Sequence, residues 1–280
     1  MRFSEDFRAQ VKAEDQRALD AIEELNSRAK TGVELMRVDP SPAMVKGTRQ
    51  FEYIGTTLHF LYSLHSKKFE QLTSSIMRSC SSRDFIVVAL CCRSLFETTA
   101  AISALNESIL NVGKHAKSKD TFAEDEIKRL IDIVNQHSRG GRFDWELFFT
   151  ADIDEFMRRS FGKGEIRIDK TRAMPESTNI LTFLNRLYEK DKYARIAYAY
   201  LSELAHPNVG SSFLVMGDEH SHVAAGRGCD SVGGFKIACI ALSILRPSVL
   251  LASAELDRLL QQARKSGCKA GTVSHGFSTQ

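Results

Sequence analysis

The chain has 280 residues, of which 43% are hydrophobic and 26% are charged, and its formal net charge is +3. These values are typical of a globular protein with a large core, and so small a net charge neither favours nor excludes nucleic acid as a partner. Only 5 prolines and 17 glycines occur, with long stretches free of both, which favours helices over a sheet with many turns.

The first residues, MRFSEDFRAQ, lack the apolar core of a signal peptide, which predicts a cytoplasmic protein. The six cysteines are then expected to be reduced thiols that fill small spaces in the core. Cys91 and Cys92 are adjacent, and no CxxC pair occurs in the sequence.

Residues 1–38 predict a long N-terminal amphipathic helix. Its apolar residues recur at steps of three, four or seven and form a narrow stripe: Phe3, Phe7, Val11, Ala18, Ile22, Leu25, Ala29, Val33 and Met36. Two interpretations are open: the helix lies across the main bundle, or residues 3–36 form an arm that pairs two copies into a homo-oligomer. The segment DPSPAMVKG then predicts a linker or elbow.

Residues 49–265 predict a helical bundle domain, followed by a disordered tail over 266–280. The helices are expected at about 49–78, 84–110, 121–137, 175–190, 193–206 and 235–264. A kink or break is expected at Pro247. The segments FLVM and HVAA allow one small β-hairpin near 213–225.

The helix over 84–110 is the expected centre of the bundle. Its only internal charges before the last turns are Arg93 and Glu97, one helical turn apart and so on one face. Both would fall at mid-bilayer in a membrane span, so a buried helix of a soluble protein is expected, with no membrane partner. Charges in such a place are costly unless they are paired or used.

Ser202 and His206 share a face of a second strongly apolar helix, which ends because Pro207 follows. If that face meets Arg93 and Glu97, four polar side chains converge inside the bundle. Glutamate beside histidine is suited to general acid–base catalysis, with arginine holding an anion. The alternative is a buried salt-bridge network that specifies packing.

A basic, glycine-containing loop is a second candidate site, for phosphate or nucleic acid. Its cations are Arg158, Arg159, Lys163, Arg167, Lys170 and Arg172. The Walker spacing is missing, and a merely solvated loop is the alternative. The cluster of Asp218, Glu219, His220, His222 and Cys229 matches no common zinc spacing, so no metal and no cofactor are predicted.

The segments CRSLFETTAAISAL and YAYLSELAHPN resemble an uncharacterised bacterial family related to the HEPN superfamily (higher eukaryote and prokaryote nucleotide-binding). That family has an arginine and a glutamate one turn apart on a core helix. Leu201, Ser202, His206 and Pro207 match its Leu-Ser-x-x-x-His-Pro-like sequence. The resemblance covers about 85–210 and implies an all-α, multi-helix HEPN-like bundle.

The resemblance also implies a place among bacterial stress or phage-defence proteins. HEPN ribonucleases carry an arginine and a histidine close together on one helix, whereas Arg195 and His206 are too far apart. A binding or regulatory module is therefore the first functional expectation, with nucleic acid or a nucleotide as a possible partner. The alternative is a ribonuclease-like toxin that processes RNA or nucleotides with Glu97, His206 and Arg93.

Overall fold

The computed structural model describes residues 1–34, 49–116, 124–139, 152–155, 158, 180–190, 192–205 and 232–265. These residues are almost all helical and contain no strand, which confirms the all-α class. Eight helices are delimited in this part of the chain: α1 (Glu5–Gln10), α2 (Gln16–Glu34), α3 (Arg49–Ser82), α4 (Phe85–Ala116), α5 (Glu124–Arg139), α6 (Ile180–Lys190), α7 (Lys192–Ala205) and α8 (Val232–Lys265). The predicted hairpin near 213–225 and the tail over 266–280 lie outside the described residues.

Helices α2, α3, α4 and α8 form the central bundle. Two contacts show that helices α4 and α8 run parallel. At the beginning of both helices, the ring centres of Phe85 and Phe235 lie 6.2 Å apart. Farther along the same two helices, Asn106 hydrogen bonds to Glu255. Helix α3 runs antiparallel to α4, to which a short turn joins it.

The N-terminal segment contains two helices rather than the single one that the sequence predicts. The break spans Val11 to Asp15, where Val11 adopts an extended conformation with φ −82° and ψ 134°. Phe3 and Phe7 then pack on the bundle, where Phe7 meets Phe235 edge to face at 5.6 Å.

The apolar stripe of α2 is buried within the same chain, with Ile22 and Leu25 fully covered. Helix α2 packs on α3 and α8. Of the two interpretations of the N-terminal segment, a helix packed on the bundle therefore describes it. A homo-oligomer through residues 3–36 stays a prediction, although Ala18, Ile22, Leu25 and Ala29 of the narrow stripe that motivated it are buried within the chain.

The hairpin of α3 and α4 turns at Arg83, whose φ of 60° is left-handed. The amide of Asp84 donates to the carbonyl of Ser79 at 2.8 Å, which satisfies an orphan carbonyl at the end of α3. The Asp84 carboxylate in turn accepts from the amide of Val87 near the start of α4. Helix α4 continues to Ala116, beyond the end that the sequence predicts at about residue 110.

Helices α5, α6 and α7 pack on the outside of this hairpin. Arg186 of α6 donates to Ser108 of α4, and Tyr198 of α7 meets Arg93 of α4. From α6 to α7 the chain therefore follows α4 from its second half back toward its beginning. On α7 the side chains of Ile196 and Tyr200 are exposed, whereas Leu201 is buried.

Helix α8 is continuous through Pro247, so the alternative of a break there is wrong. Cys80 and Cys92 are free and buried, as expected of small core residues. Burial raises the pKa of both thiols, which keeps them protonated.

Two segments are long and apolar enough to cross a membrane by length and composition, 85–113 and 234–264. Core helices of soluble proteins meet the same criterion, and here these two helices pack against each other in the centre of the bundle. They carry Arg93, Glu97 and Glu255. The absence of a membrane partner and the cytoplasmic location stay predictions.

Candidate functional site at the contact of α4 and α7

The two charges of the central helix form a closed contact with a residue of α7. Arg93 donates through Nε to Oε1 of Glu97 at 3.1 Å, the pairing that their spacing favours. Arg93 Nη2 also donates to Oη of Tyr198 at 3.3 Å. Tyr198 Oη then donates to the same Oε1 of Glu97 at 3.0 Å. Each of the three side chains therefore contacts the other two.

Aromatic rings surround this contact. The guanidinium carbon of Arg93 lies 5.5 Å from the centre of the Tyr198 ring, within the range of a cation–π interaction. The Tyr198 ring also lies 5.8 Å from Phe96 and 6.4 Å from Tyr188 between ring centres. The Tyr198 ring therefore packs against rings of α4 and α6, while its hydroxyl hydrogen bonds to both charged side chains.

The contact is half-buried rather than sealed, because the side chains of Arg93 and Glu97 keep 27% and 26% of their surface exposed. Partial burial alone would lower the pKa of Arg93. The hydrogen bonds to Tyr198 and Glu97 outweigh this effect and raise it. The guanidinium is therefore a permanent cation on a side chain that stays partly exposed.

Lys68 of α3 lies within electrostatic reach of Glu97. Loss of hydration lowers the pKa of Lys68, and the charge of Glu97 partly offsets that effect. Its side chain is nonetheless exposed over part of its length. Lys68 makes no hydrogen bond or ion pair with the residues that the structure describes.

Two histidines, His65 of α3 and His137 of α5, are close enough to influence each other electrostatically. Burial lowers the pKa of His65 to about 3, and the charge of Lys68 adds to the effect. Burial also lowers the pKa of His137 to about 4, with a contribution from Arg186. The ring of His137 stacks on Phe183 at 5.1 Å. Both imidazoles are therefore neutral at neutral pH and too weak as bases for proton transfer there.

Tyr188 completes the aromatic side of the site. Burial and the neighbouring Tyr198 raise the pKa of Tyr188 to about 12, so this phenol stays protonated. It can donate a hydrogen bond but cannot act as a base at neutral pH.

Of the other predicted site residues on this helix, Ser202 lies one turn after Tyr198 and is half-buried. Its hydroxyl has no hydrogen-bond partner in the described part of the chain. His206 lies outside the described residues, so its contact with Arg93 and Glu97 stays a prediction. The last described residue of α7, Ala205, is about 10 Å beyond Tyr198 along the helix axis.

Sequence reasoning missed Tyr198. Its position four residues before Ser202 places both on one face of α7, the face already expected to meet α4. That spacing, together with the adjacent inward Ala197, was the available signal.

A second polar cluster, which the sequence analysis also missed, lies between α4 and α8. Glu255 is 3% exposed and accepts from Asn106 at 2.6 Å and from Arg258 at 2.9 Å. Asn106 also donates to the carbonyl of Glu255 at 2.8 Å. The buried carboxylate is thus satisfied by protein donors, which indicates a structural role.

Of the predicted phosphate-binding loop, the structure describes Arg158 alone. Arg158 donates to Glu155 at 2.6 and 2.9 Å, and its side chain is 68% exposed. Arg159, Lys163, Arg167, Lys170 and Arg172 lie outside the described residues, as does the cluster from Asp218 to Cys229. Within the described ranges, no group of three or more histidine, cysteine, aspartate or glutamate residues could hold a metal ion.

No protein-family model, curated protein or solved structure matches this chain. The HEPN-like character therefore rests on the short motifs around Arg93, Glu97 and Ser202, and stays a prediction.

Proposed function

We propose that this protein is a HEPN-like helical module of bacterial stress or phage defence, which acts by binding and regulation. The observation that carries the proposal is the closed contact of Arg93, Glu97 and Tyr198. It ties α7 to the central helix through two hydrogen bonds to one carboxylate oxygen. A ligand that competes for Arg93 would change this contact and, with it, the docking of α7.

The chemistry of the neighbouring groups supports binding rather than catalysis. A general base needs a position within reach of the substrate proton and a pKa near the working pH. Glu97 is held in a structural contact, because its Oε1 accepts from both Arg93 and Tyr198. The pKa values of about 3 for His65 and about 4 for His137 leave both imidazoles poorly suited to proton transfer at neutral pH.

A second candidate function is the processing of RNA or nucleotides by Glu97, His206 and Arg93. The partial exposure of Arg93 and Glu97 favours it, because a sealed pair could not meet a substrate. In this alternative His206 is the general acid or base, and Arg93 neutralises the phosphate.

One experiment separates the two functions. Purified protein is incubated with total RNA and with nucleotides, while products are followed by chromatography and the melting temperature is measured in parallel. The binding module predicts a rise in melting temperature without products. Products that disappear in the His206→Ala and Glu97→Gln variants, both still folded, would replace the module with the enzyme.

A further inference from the structure

The leading segment of the chain, residues 1–11, contacts the bundle through aromatic rings on one side. The Phe7 ring meets Phe235 of α8 edge to face at 5.6 Å and stacks on Phe3 at 5.7 Å between ring centres. Both Phe3 and Phe7 are 4% exposed. The Phe235 ring in turn lies 6.2 Å from that of Phe85. The leading segment therefore packs on an aromatic pair at the beginnings of α4 and α8.

On its polar side, the leading segment is held by a single cation. Arg8 donates through Nη1 to Gln16 at 3.0 Å and through Nη2 to Asp20 at 3.0 Å. Its Nη2 also lies 2.9 Å from Oε1 of Glu23. The three partners recur at steps of four and three, so they form one stripe along α2. Because the Arg8 side chain is 27% exposed and that of Asp20 is 65% exposed, dissolved salt can screen this contact.

A non-helical connection separates the leading segment from α2. Val11 is extended, and α2 begins only at Gln16. Nε2 of Gln16 donates to the carbonyls of Arg8 at 2.6 Å and Val11 at 3.1 Å, which defines the docked position. Beyond the connection the chain is fixed, because Ser243 of α8 donates to the Asp15 carboxylate at 2.5 Å. Movement of the leading segment is therefore confined to the chain before Asp15.

The helix of the leading segment is too short to persist on its own. Helix α1 has six residues, whereas isolated helices shorter than about 12 residues are marginal in water. It is therefore stable only while it is docked. The contacts of Phe7 with α8 and of Arg8 with α2 run through side chains, so their loss breaks no backbone hydrogen bond of the bundle helices. Segments of this kind open locally at a lower free energy than the core.

We propose that the leading segment is a clasp that opens and closes as one unit about residues 12–14 while α2 to α8 stay folded. Phe7 is its anchor and Arg8 is its ionic latch. Opening uncovers the groove at Phe85 and Phe235, and the occupant of this groove is the chain's own α1. The clasp is separate from the contact of α4 and α7 and does not depend on the function proposed for that contact.

Hydrogen exchange of the full chain tests whether the segment opens alone, with mass spectrometry on peptides that separate residues 1–11 from 16–34. Amides of α1 should exchange at least about tenfold faster than those of α2. Sodium chloride at about 1 M should accelerate α1 further, because it screens the ion pairs of Arg8. Equal exchange rates in the two segments would mean that α1 opens only with the whole bundle and would overturn the clasp. Faster exchange that salt does not change would overturn the role of Arg8 as latch.

The decisive variant is Arg8→Gln, with Arg17→Gln as its matched control. Arg17 is exposed on α2 and takes no part in the contacts of Arg8. Loss of the charge-assisted contacts in Arg8→Gln should accelerate exchange of residues 1–11 by about tenfold and leave α2 unchanged. Arg17→Gln should change neither segment. Equal acceleration of α1 and α2 in Arg8→Gln would show that Arg8 supports the bundle as a whole, which contradicts a separable clasp.

A synthetic peptide of residues 1–11, labelled with a fluorophore, probes the groove directly. In the wild type the tethered segment competes at a high effective concentration, so the free peptide should bind weakly. The full-length Phe7→Ala variant lacks the anchor ring, and the wild-type peptide should bind it saturably, whereas a peptide with the same Phe7→Ala change should not. Circular dichroism checks that the variant is folded, and full-length Arg8→Gln takes its place if it is not. Equal binding of the two peptides, or no binding of either to the folded variant, would overturn the groove.

Discussion

Tyr198 of α7 and Glu97 of α4 are joined by a hydrogen bond of 3.0 Å that crosses a helix–helix interface. The two residues are 101 positions apart in the sequence. Through this bond the outer helix α7 is tied to the charged pair of the central helix. The same carboxylate oxygen holds Arg93, so the geometry of the cation depends on the docking of α7.

The first prediction concerns the Tyr198 hydroxyl. Tyr198→Phe removes hydrogen bonds to Arg93 and Glu97 but keeps the ring contacts, so the free energy of unfolding should fall by about 1–2 kcal/mol. Urea denaturation followed by circular dichroism measures the change. Tyr200→Phe is the control, because this exposed tyrosine lies on the same helix, and its stability should stay within about 0.5 kcal/mol of the wild type.

The second prediction concerns the ion pair of Arg93 and Glu97. A fully buried pair would lose about 3–5 kcal/mol when one partner is removed. Because about a quarter of each side chain is exposed, Glu97→Ala should cost less, about 1–2 kcal/mol. A double-mutant cycle with Arg93→Met measures the coupling between the two side chains. Additive effects of the two substitutions would contradict the contact.

The third prediction uses the left-handed turn between α3 and α4. Arg83 has a φ of 60°, which favours glycine over residues with a Cβ atom. Arg83→Gly and Arg83→Ala both remove the guanidinium and its stem. Only glycine also removes the Cβ atom, which is the source of backbone strain at this φ. The glycine variant should therefore be more stable than the alanine variant by about 1 kcal/mol in thermal or urea unfolding. Equal stability of the two variants would show that the turn is not strained.

The helices were predictable because their apolar residues repeat with a helical period and because the sequence contains few breakers. The pairing of Arg93 with Glu97 followed from the same rule, since i,i+4 neighbours share a helix face. These features depend on short stretches of sequence alone. They needed no knowledge of how the helices pack together.

The contacts that depend on packing could not be predicted. The role of Tyr198 requires that α7 cross α4 at Arg93. The hydrogen bond from Asn106 to the buried carboxylate of Glu255 joins residues that are 149 positions apart. The break after Val11 contains no proline or glycine, and it lets Phe7 reach Phe235. Tertiary contacts override local periodicity in each of these cases.

The fourth prediction concerns acid stability. The pKa values of His65 and His137 are lowered in the folded state from 6.5 to about 3 and about 4. Above pH 6.5 both histidines are neutral in the folded and unfolded states. Between pH 6.5 and about 4 the unfolded chain binds protons that the folded chain does not, so the free energy of unfolding falls as the pH falls.

The variant His137→Leu removes one of these groups and tests its share of the effect. Its free energy of unfolding should depend less steeply on pH between 6.5 and 4 than that of the wild type. Urea denaturation at intervals of pH measures both slopes. The same slope in the two proteins would mean that His137 titrates normally in the folded state.

The last prediction compares two glycines within helices. A Cβ atom at Gly32 of α2 would lie 2.7 Å from Cβ of Ser66 and 2.9 Å from Oη of Tyr62, whereas one at Gly113 of α4 would meet nothing within 4 Å. Gly32→Ala should therefore force α2 and α3 apart and lower the free energy of unfolding by about 1–3 kcal/mol. Gly113→Ala should raise it by about 0.5–1 kcal/mol, because alanine favours the helix. Thermal and urea unfolding measure both variants, and stabilisation by Gly32→Ala would show that the close approach of α2 and α3 at this point is not required.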